Sequence, residues 1–318
     1  MKNNNFIHIA YCADANYIEY VAVSISSILI NNRENSIFFH VFLYDVPQID
    51  IDRIKSMHKY IKVYLIGEKD LENYTDSFQI NHLNKSTYIR LLVPRLLSSI
   101  TGKFIYLDAD ILCFSDISGI NNIDIDNYVC AVATDSLSER ENTNAARLGL
   151  QDGFYFNAGV LYINIEQWML NDIEKKTNDI IEKSNGKLKY YDQDALNISI
   201  AGKIRKLDSK WNYLFTWMKD DIKENYFYNK ARLPFFIHFT GSRKPWYREH
   251  SGLSQNLYVF YKHFTPWANT PLKSYKNKMR STDYRIYSKS EMKKRNYLKG
   301  LYFFIKYLKL KIKPSKGI

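Results

Sequence analysis

The segment KFIYLDADILCFSDI, residues 103–117, runs apolar up to Asp108 and Asp110 and turns apolar again after them. In extended chain, residues two apart project to the same side, so the two carboxylates can aim at one point. Carboxylates that close repel, and a divalent cation shared with a phosphate relieves the repulsion. A hard, oxygen-preferring ion such as Mn²⁺ or Mg²⁺ suits that donor set. A DxD is a short pattern that also arises where acids close a strand as turn formers, so the surrounding chain has to decide between the two.

That chain predicts alternating strands and helices. FIHIAYCAD (6–14) reads as a buried strand ending at a polar turn, and 18–31 has the length and spacing of a helix packed on a sheet. IFFHVFLYD (37–45) and KVYLIG (62–67) are further strands around a helix at IDRIKSMHKY (51–60). STYIRLLVPRLL (86–97) has helical spacing with Ser86 as N-cap, and Pro94 is expected to kink or end it. Residues 104–107 form a fourth strand, which puts the acids at its carboxyl end, where ligands bind in open α/β sheets. YVCAVATD (128–135) is another strand ending in an acid, and FNAGVLYINIEQW (156–168) leads from a polar turn through a strand into a helix. The expected fold is α/β, a mostly parallel sheet flanked by helices.

Composition narrows the class. With 318 residues and 46% apolar content the chain can bury a large core, and it shows no internal repeat or low-complexity linker. The three cysteines, Cys12, Cys113 and Cys130, lie far apart in apolar runs and read as buried, reduced thiols of a cytoplasmic protein. The start lacks the features of a signal peptide, and no apolar run reaches the ~18–20 residues of a membrane span. The net charge of +12 is concentrated in residues 273–318, where fifteen Lys and Arg face Asp283 and Glu291. The remainder is close to neutral, which argues against nucleic acid as a partner.

Six stretches, in order over residues 6–247, together carry a resemblance: YCADANY, STYIRLLVPRLL, YLDADIL, YFNAGVLYIN, YYDQDALN and HFTGSRKPW. They resemble glycosyltransferase family 8, the retaining nucleotide-sugar transferases of GT-A fold, and within it the bacterial galactosyl- and glucosyltransferases that build lipopolysaccharide or lipo-oligosaccharide. The resemblance implies a catalytic domain over 1–265 and a C-terminal segment over 266–318. It implies that Asp108, Asp110 and His238 hold the metal (Mn²⁺ or Mg²⁺) on the diphosphate of a UDP-sugar. In the first block, Cys12 would act through its backbone, Asp14 and Asn16 would bond base, ribose or diphosphate, and Tyr17 would stack on the base. The family often has a second acid where this chain has Ala15. Arg90 matches an arginine near the donor sugar and diphosphate. Gly241 permits close backbone approach to a phosphate, and Lys244 supplies a compact positive charge. Asp135, Asn157, Asp192 and Gln193 complete the sugar pocket.

The reaction implied is transfer of galactose or glucose from UDP-galactose or UDP-glucose to a saccharide acceptor, with retention. Gln193 is expected to shield a short-lived oxocarbenium ion, while a covalent route through Asp135 or Asp192 stays open. The acceptor would be a lipid-linked oligosaccharide; a glycoprotein or other surface glycan, or a non-catalytic UDP-sugar-binding role, are the alternatives. From 295 to 313 the chain reads RNYLKGLYFFIKYLKLKIK, a basic amphipathic helix. Tyr297, Leu298, Leu301, Phe304, Ile305, Leu308 and Ile312 share one face, Phe303 and Leu310 break the polar face, and Gly300 weakens the helix. Such a segment suits an anionic membrane surface, peripheral on the inner face of the cytoplasmic membrane.

Overall fold

The computed structural model describes residues 6–74, 85–135, 138–215, 233–250, 252–276, 279–293 and 295–312. The chain forms two compact units, Met1–Lys244 with Gly252–Thr270, and Pro245–Ser251 with Pro271–Ile318.

The first unit begins with β1 (Ile7–Ala13), in which every residue is buried, as a strand covered on both faces requires. Helix α1 (Ile18–Asn31) leads to β2 (Ile37–Leu43), α2 (Gln48–Lys55) and β3 (Ile61–Leu65). Helix α3 (Lys85–Leu97) then returns the chain to the other side of β1 for β4 (Lys103–Leu107). Two parallel neighbours thus leave β1 in opposite directions, which opens a crevice at the carboxyl ends of β1 and β4. β5 (Ile111–Cys113) follows at once, then β6 (Cys130–Thr134), α4 (Ser138–Leu148) and β7 (Phe156–Asn164). Helices α5 (Ile165–Leu170), α6 (Ile173–Ser184) and α7 (Tyr191–Ser199) precede β8 (Ile204–Leu207). β9 (Tyr213–Leu214), β10 (Phe236–His238) and α8 (Leu253–Lys262) complete the unit.

The main sheet has the order β3-β2-β1-β4-β7-β6-β8, and β7 alone runs against the others. A second, three-stranded sheet has the order β5-β10-β9. Alternate residues of one strand feed opposite cores. Ile9 and Tyr11 of β1 and Ile105 and Leu107 of β4 pack with Val21 and Ile25 of α1. Ala10, Cys12, Phe104 and Tyr106 pack on the other face with Tyr88 and Leu92 of α3. The three cysteines are buried and free, as expected.

Pro94 neither ends α3 where it stands nor excludes it from the helix. It lies in the last turn, where only three residues follow, so the one lost bond, to the carbonyl four residues back, leaves little helix beyond it to be disrupted. The helix is entered at Lys85, and the side chain of Ser86, the expected cap, lies outside the described residues.

The second unit is built on a helical hairpin, α9 (Ser281–Lys293) and α10 (Tyr297–Ile312). Two of the residues that looked out of place in the tail, Gly300 and Phe303, make contact between these helices, while Leu310 is 42% exposed. Gly300 is buried, and a Cβ there would lie 2.8 Å from Met292 Cγ, so the glycine permits the close approach. The Phe303 ring packs 6.2 Å from Tyr284 and 5.6 Å from Tyr287. The predicted apolar face is left in solvent instead, with Leu298 88% and Ile312 78% exposed. The last lysine of the expected helix, Lys313, lies outside the described residues. Glu249 ties the segment Pro245–Ser251 to the chain that leads into the hairpin, accepting from Tyr275 N and Ser274 Oγ, each at 2.7 Å. Among the described residues no helix is long and apolar enough to cross a membrane.

Candidate active site

Asp108 is the first residue after β4, and its N–H donates to the Gly159 carbonyl of β7 at 2.9 Å. Asp110 immediately precedes β5. Because β5 pairs antiparallel with β10 in the register Ile111 opposite His238, the fold delivers a histidine from far along the chain to the acidic pair. A further main-chain bond, Phe239 N to Asp110 O at 3.0 Å, locks the two segments together. His238 Nε2 lies 3.1 Å from Asp110 Oδ1 and 4.0 Å from Asp108 Oδ2, and one ligand atom from each of the three lies within 4.8 Å of the others. Ligands of an octahedral ion bound at ~2.1 Å are about 3.0 Å apart when adjacent and about 4.2 Å apart when opposite. The donor atoms therefore fit a small hard cation without rearrangement of the backbone.

Two basic side chains offset the acids. Arg90, from α3, donates to Asp108 Oδ1 and the Ala158 carbonyl, each at 3.1 Å, and its guanidinium is 3.3 Å from Asp192 Oδ2. It also lies over the Tyr106 ring, 4.8 Å from the centroid, and the Tyr106 hydroxyl donates to Asp108 Oδ1 at 2.9 Å. Burial works against a charged Arg90, but Asp108 and its other acidic neighbours outweigh it and raise its pKa further. Lys244 donates to Asp110 Oδ2 and, at 2.8 Å, to the Phe239 carbonyl. Burial would raise the Asp110 carboxyl; Lys244 and His238 reverse this and hold it well below the usual carboxylate range. Asp192 goes the other way, raised by burial and by Asp108 against the pull of Arg90.

Beside these groups lies an amide-rich pocket floor. Gln193, on the first turn of α7, accepts at Oε1 from Asn157 Nδ2 at 3.0 Å and from Ala158 N at 3.1 Å. Its Nε2 donates to the Tyr155 hydroxyl at 2.9 Å and to Asp135 Oδ2 at 3.4 Å. Tyr155 in turn donates to Asp194 Oδ1 at 2.7 Å. Arg147 clamps both oxygens of Asp194, at 2.8 and 2.9 Å, and the fully buried carboxylate also accepts from Tyr190 N at 3.0 Å. Burial alone would raise Asp194, but Arg147 and the other donors hold it below its usual range. Of the two acids in the YYDQDAL block, Asp194 is thus the structural one, and Asp192 faces Arg90.

Sequence comparison gives this arrangement its relatives. The model described as glycosyl transferase family 8 matches residues 8–250, and the family 8 C-terminal model matches 254–311. The chain belongs to glycosyltransferase family 8. It is 30% identical to a lipopolysaccharide 1,2-glucosyltransferase of Escherichia coli over 94% of this chain and 90% of that protein. It is 29% identical to a lipopolysaccharide 1,3-galactosyltransferase of Salmonella typhimurium over 96% of this chain and 91% of that one. The fold matches the crystal structure of the galactosyltransferase LgtC with donor and acceptor sugar analogs, with a TM-score of 0.69 and 23% identity, over 86% of this chain and 100% of that one. The fold is accordingly the GT-A fold.

Of the remaining residues singled out in this family 8 chain, Cys12 to Tyr17 lie in or just after β1, Asp135 follows β6 and Gly241 comes shortly after β10. Asp14 and Asn16 follow β1, and Asp14 Oδ1 accepts from Asn16 N at 2.8 Å, which shapes the turn. Tyr17 is 39% exposed and meets Tyr20 edge-on. Cys12 is buried, and burial pushes its thiol far above the ordinary range, so only its backbone can serve a ligand. Gly241 adopts φ +79°, a conformation that favours glycine, with open space where a Cβ would sit. Asp135 N bonds the Tyr155 carbonyl at 3.1 Å, fixing its position beside Gln193.

Five contributors escaped the sequence reading: Tyr106, Tyr155, Arg147, Asn212 and Gly159. Tyr106, Tyr155 and Gly159 stand inside the YLDADIL and YFNAGVLYIN blocks without a role of their own there, and Arg147 and Asn212 lie outside every block. Gly159 is the most constrained, since a Cβ there would lie 2.3 Å from His238 Cε1 and 2.8 Å from His238 Nδ1. Gly159→Ala is expected to displace the imidazole and lower transferase kcat/KM by about 10²-fold while the far-ultraviolet circular dichroism stays native. Native kinetics in that variant would contradict the packing described for His238.

Proposed function

We propose that this chain transfers galactose or glucose from the corresponding UDP-sugar to a saccharide acceptor, with retention, in the assembly of lipopolysaccharide or lipo-oligosaccharide. The observation that carries this reading is the convergence of Asp108, Asp110 and His238 at one point beside the Gln193 floor, in a chain whose full-length relatives act on lipopolysaccharide. Mn²⁺ or Mg²⁺ is the ion that two carboxylates and one imidazole suit. Bound there, such an ion supplies Lewis-acid stabilisation of the departing diphosphate.

The side chains supply the rest. Lys244 sits beside the diphosphate position with its ammonium held by Asp110 and the Phe239 carbonyl, ready to meet developing negative charge. Arg90 keeps Asp108 and Asp192 from repelling each other and faces the donor sugar. Asp14, Asn16 and Tyr17 receive the nucleoside, with the Cys12 backbone beneath, and Gly241 lets the main chain approach a phosphate. Asn157, Asp135 and Asp192 offer polar atoms to sugar hydroxyls. The Gln193 carbonyl oxygen already accepts two internal hydrogen bonds, so its lone pairs are engaged. Gln193 is therefore placed as a shield for positive charge on the sugar ring rather than as an attacking atom. This favours departure and attack on the same face, with the proton of the acceptor hydroxyl passing to a diphosphate oxygen.

Catalysis is assigned to the unit that carries these residues, expected over 1–265, and surface attachment to the tail, 266–318. The apolar stripe of α10 is solvent-exposed, with Leu301 50% and Ile305 44% accessible, and lysines flank it. Each basic residue near an anionic bilayer contributes about 1 kcal/mol, so the tail can hold the enzyme next to a lipid-linked acceptor on the inner face of the cytoplasmic membrane.

Assayed with Mn²⁺ across a panel of UDP-sugars, the native protein is expected to turn over UDP-galactose or UDP-glucose preferentially, and Asp108→Asn or Asp110→Asn to abolish that turnover with the fold intact. Native rates in either variant would remove the assignment. In sedimentation with vesicles, the full chain should bind phosphatidylglycerol and not phosphatidylcholine, and Leu301→Asp with Ile305→Asp should release it. Tight binding to RNA at physiological salt, with no vesicle binding, would assign the basic tail to nucleic acid instead.

A further inference from the structure

Behind the three groups that converge at the crevice, one continuous line of side-chain hydrogen bonds joins His238 to the pocket floor. His238 Nδ1 lies 3.0 Å from Asn212 Oδ1. Asn212 Nδ2 donates to Asn157 Oδ1 at 2.8 Å and to the Asn157 carbonyl at 3.4 Å. Asn157 Nδ2 donates to Gln193 Oε1, Gln193 Nε2 to the Tyr155 hydroxyl, and that hydroxyl to Asp194. Asn212, Tyr155 and Asp194 are all fully buried.

A main-chain partner identifies the oxygen or nitrogen of each amide in this line, and the bonds along the line add to its hold. Gly159 N donates to Asn157 Oδ1 at 3.0 Å, so that atom is the oxygen. Ala158 N donates to Gln193 Oε1, which identifies the oxygen of Gln193 in the same way. A backbone carbonyl can only accept, so the atom of Asn212 near the Asn157 carbonyl is its nitrogen, and its oxygen faces His238. An amide oxygen can only accept as well, so His238 carries a proton on Nδ1, which leaves Nε2 as the atom that faces Asp108 and Asp110 and would ligate a metal. The Tyr155 hydroxyl accepts from Gln193 and therefore donates to Asp194. All five bonds run in one donor direction and end on a carboxylate that Arg147 keeps charged. Bonds aligned head to tail polarise one another, and the anionic end favours this direction over its reverse.

We infer that Asn212 is a positioning residue that sets the tautomer of His238 and, through Asn157, the orientation of the Gln193 amide, so that the metal-binding face and the sugar-facing amide are held in register by one polarised chain. This rests on the proposed reading of Asp108, Asp110 and His238 as metal ligands. A partner on the second nitrogen of a ligating histidine fixes ring orientation, and its removal costs about 10–100-fold in metal affinity.

Two substitutions separate the two jobs. Asn212→Ala removes both bonds. Asn212→Asp still accepts from His238 Nδ1 but can no longer donate to Asn157, so it keeps the tautomer and breaks the line toward Gln193. The full chain is titrated with Mn²⁺ alone, without nucleotide, following free Mn²⁺ by electron paramagnetic resonance, with Asp110→Asn as the reference for a lost ligand. Asn212→Ala is expected to bind Mn²⁺ about 10–100-fold more weakly. Asn212→Asp is expected to bind no more weakly than the native protein, yet to lose about 10²-fold in kcat with an unchanged KM for the UDP-sugar. Nitrogen NMR of the native protein without metal should find the His238 proton on Nδ1. Native Mn²⁺ affinity in Asn212→Ala, weakened affinity or native kcat in Asn212→Asp, or an Nδ1 that carries no proton would each overturn the role of Asn212 and leave the metal ligands in place. Native affinity in Asp110→Asn would overturn the metal reading itself, and this inference with it.

Discussion

Two carboxylates at the carboxyl end of a buried strand repel each other, and the surroundings of Asp108 and Asp110 are organised by the need to offset that repulsion. Arg90 and the Tyr106 hydroxyl neutralise one oxygen of Asp108, Lys244 holds one oxygen of Asp110, and His238 faces both residues from the opposite strand. Each partner leaves part of the carboxylate pair directed toward the crevice. A dry interior would force such acids to protonate. Here the cations keep Asp110 ionised, the state in which it can ligate a hard ion.

The fold meets this demand through a single register. The second sheet is small, yet its antiparallel pairing of β5 with β10 sets His238 opposite Ile111, next to Asp110. A slip of one residue would turn the imidazole to the other face. Gly159 and the bond from Asp108 N to its carbonyl bring β7 close enough to support the ring from behind. The same strand carries Asn157, and the loop before it Tyr155, so the carboxylate–imidazole cluster and the Gln193 amide share one rigid backing.

Much of this was legible in the sequence because it depends on local periodicity. The continuous apolar runs of β1 and β4, the helix over 18–31 and the polar strand tips all follow from patterns of two and 3.6 residues. The acidic pair, His238 and Gln193 were legible only jointly, through blocks whose order and spacing resemble a family. Asn212, Tyr155 and the Arg147–Asp194 pair were not, because each owes its importance to partners far away in sequence, such as Asn212 to Asn157 and Asp194 to Arg147. Gly300 and Phe303 mislead for the same reason: a helical wheel treats α10 alone, whereas its packing face is chosen by α9. Pro94 shows that a breaker matters by its distance from the helix end, not by its presence.

The central claim is that Asp108, Asp110 and His238 share one divalent ion with a nucleotide diphosphate. Crystals grown with UDP and Mn²⁺, with diffraction recorded at the manganese absorption edge, test it most directly. The anomalous peak should lie about 2.0–2.3 Å from a carboxylate oxygen of each aspartate and from His238 Nε2, and touch the diphosphate. A peak elsewhere, or a UDP molecule seated away from these three side chains, would contradict it.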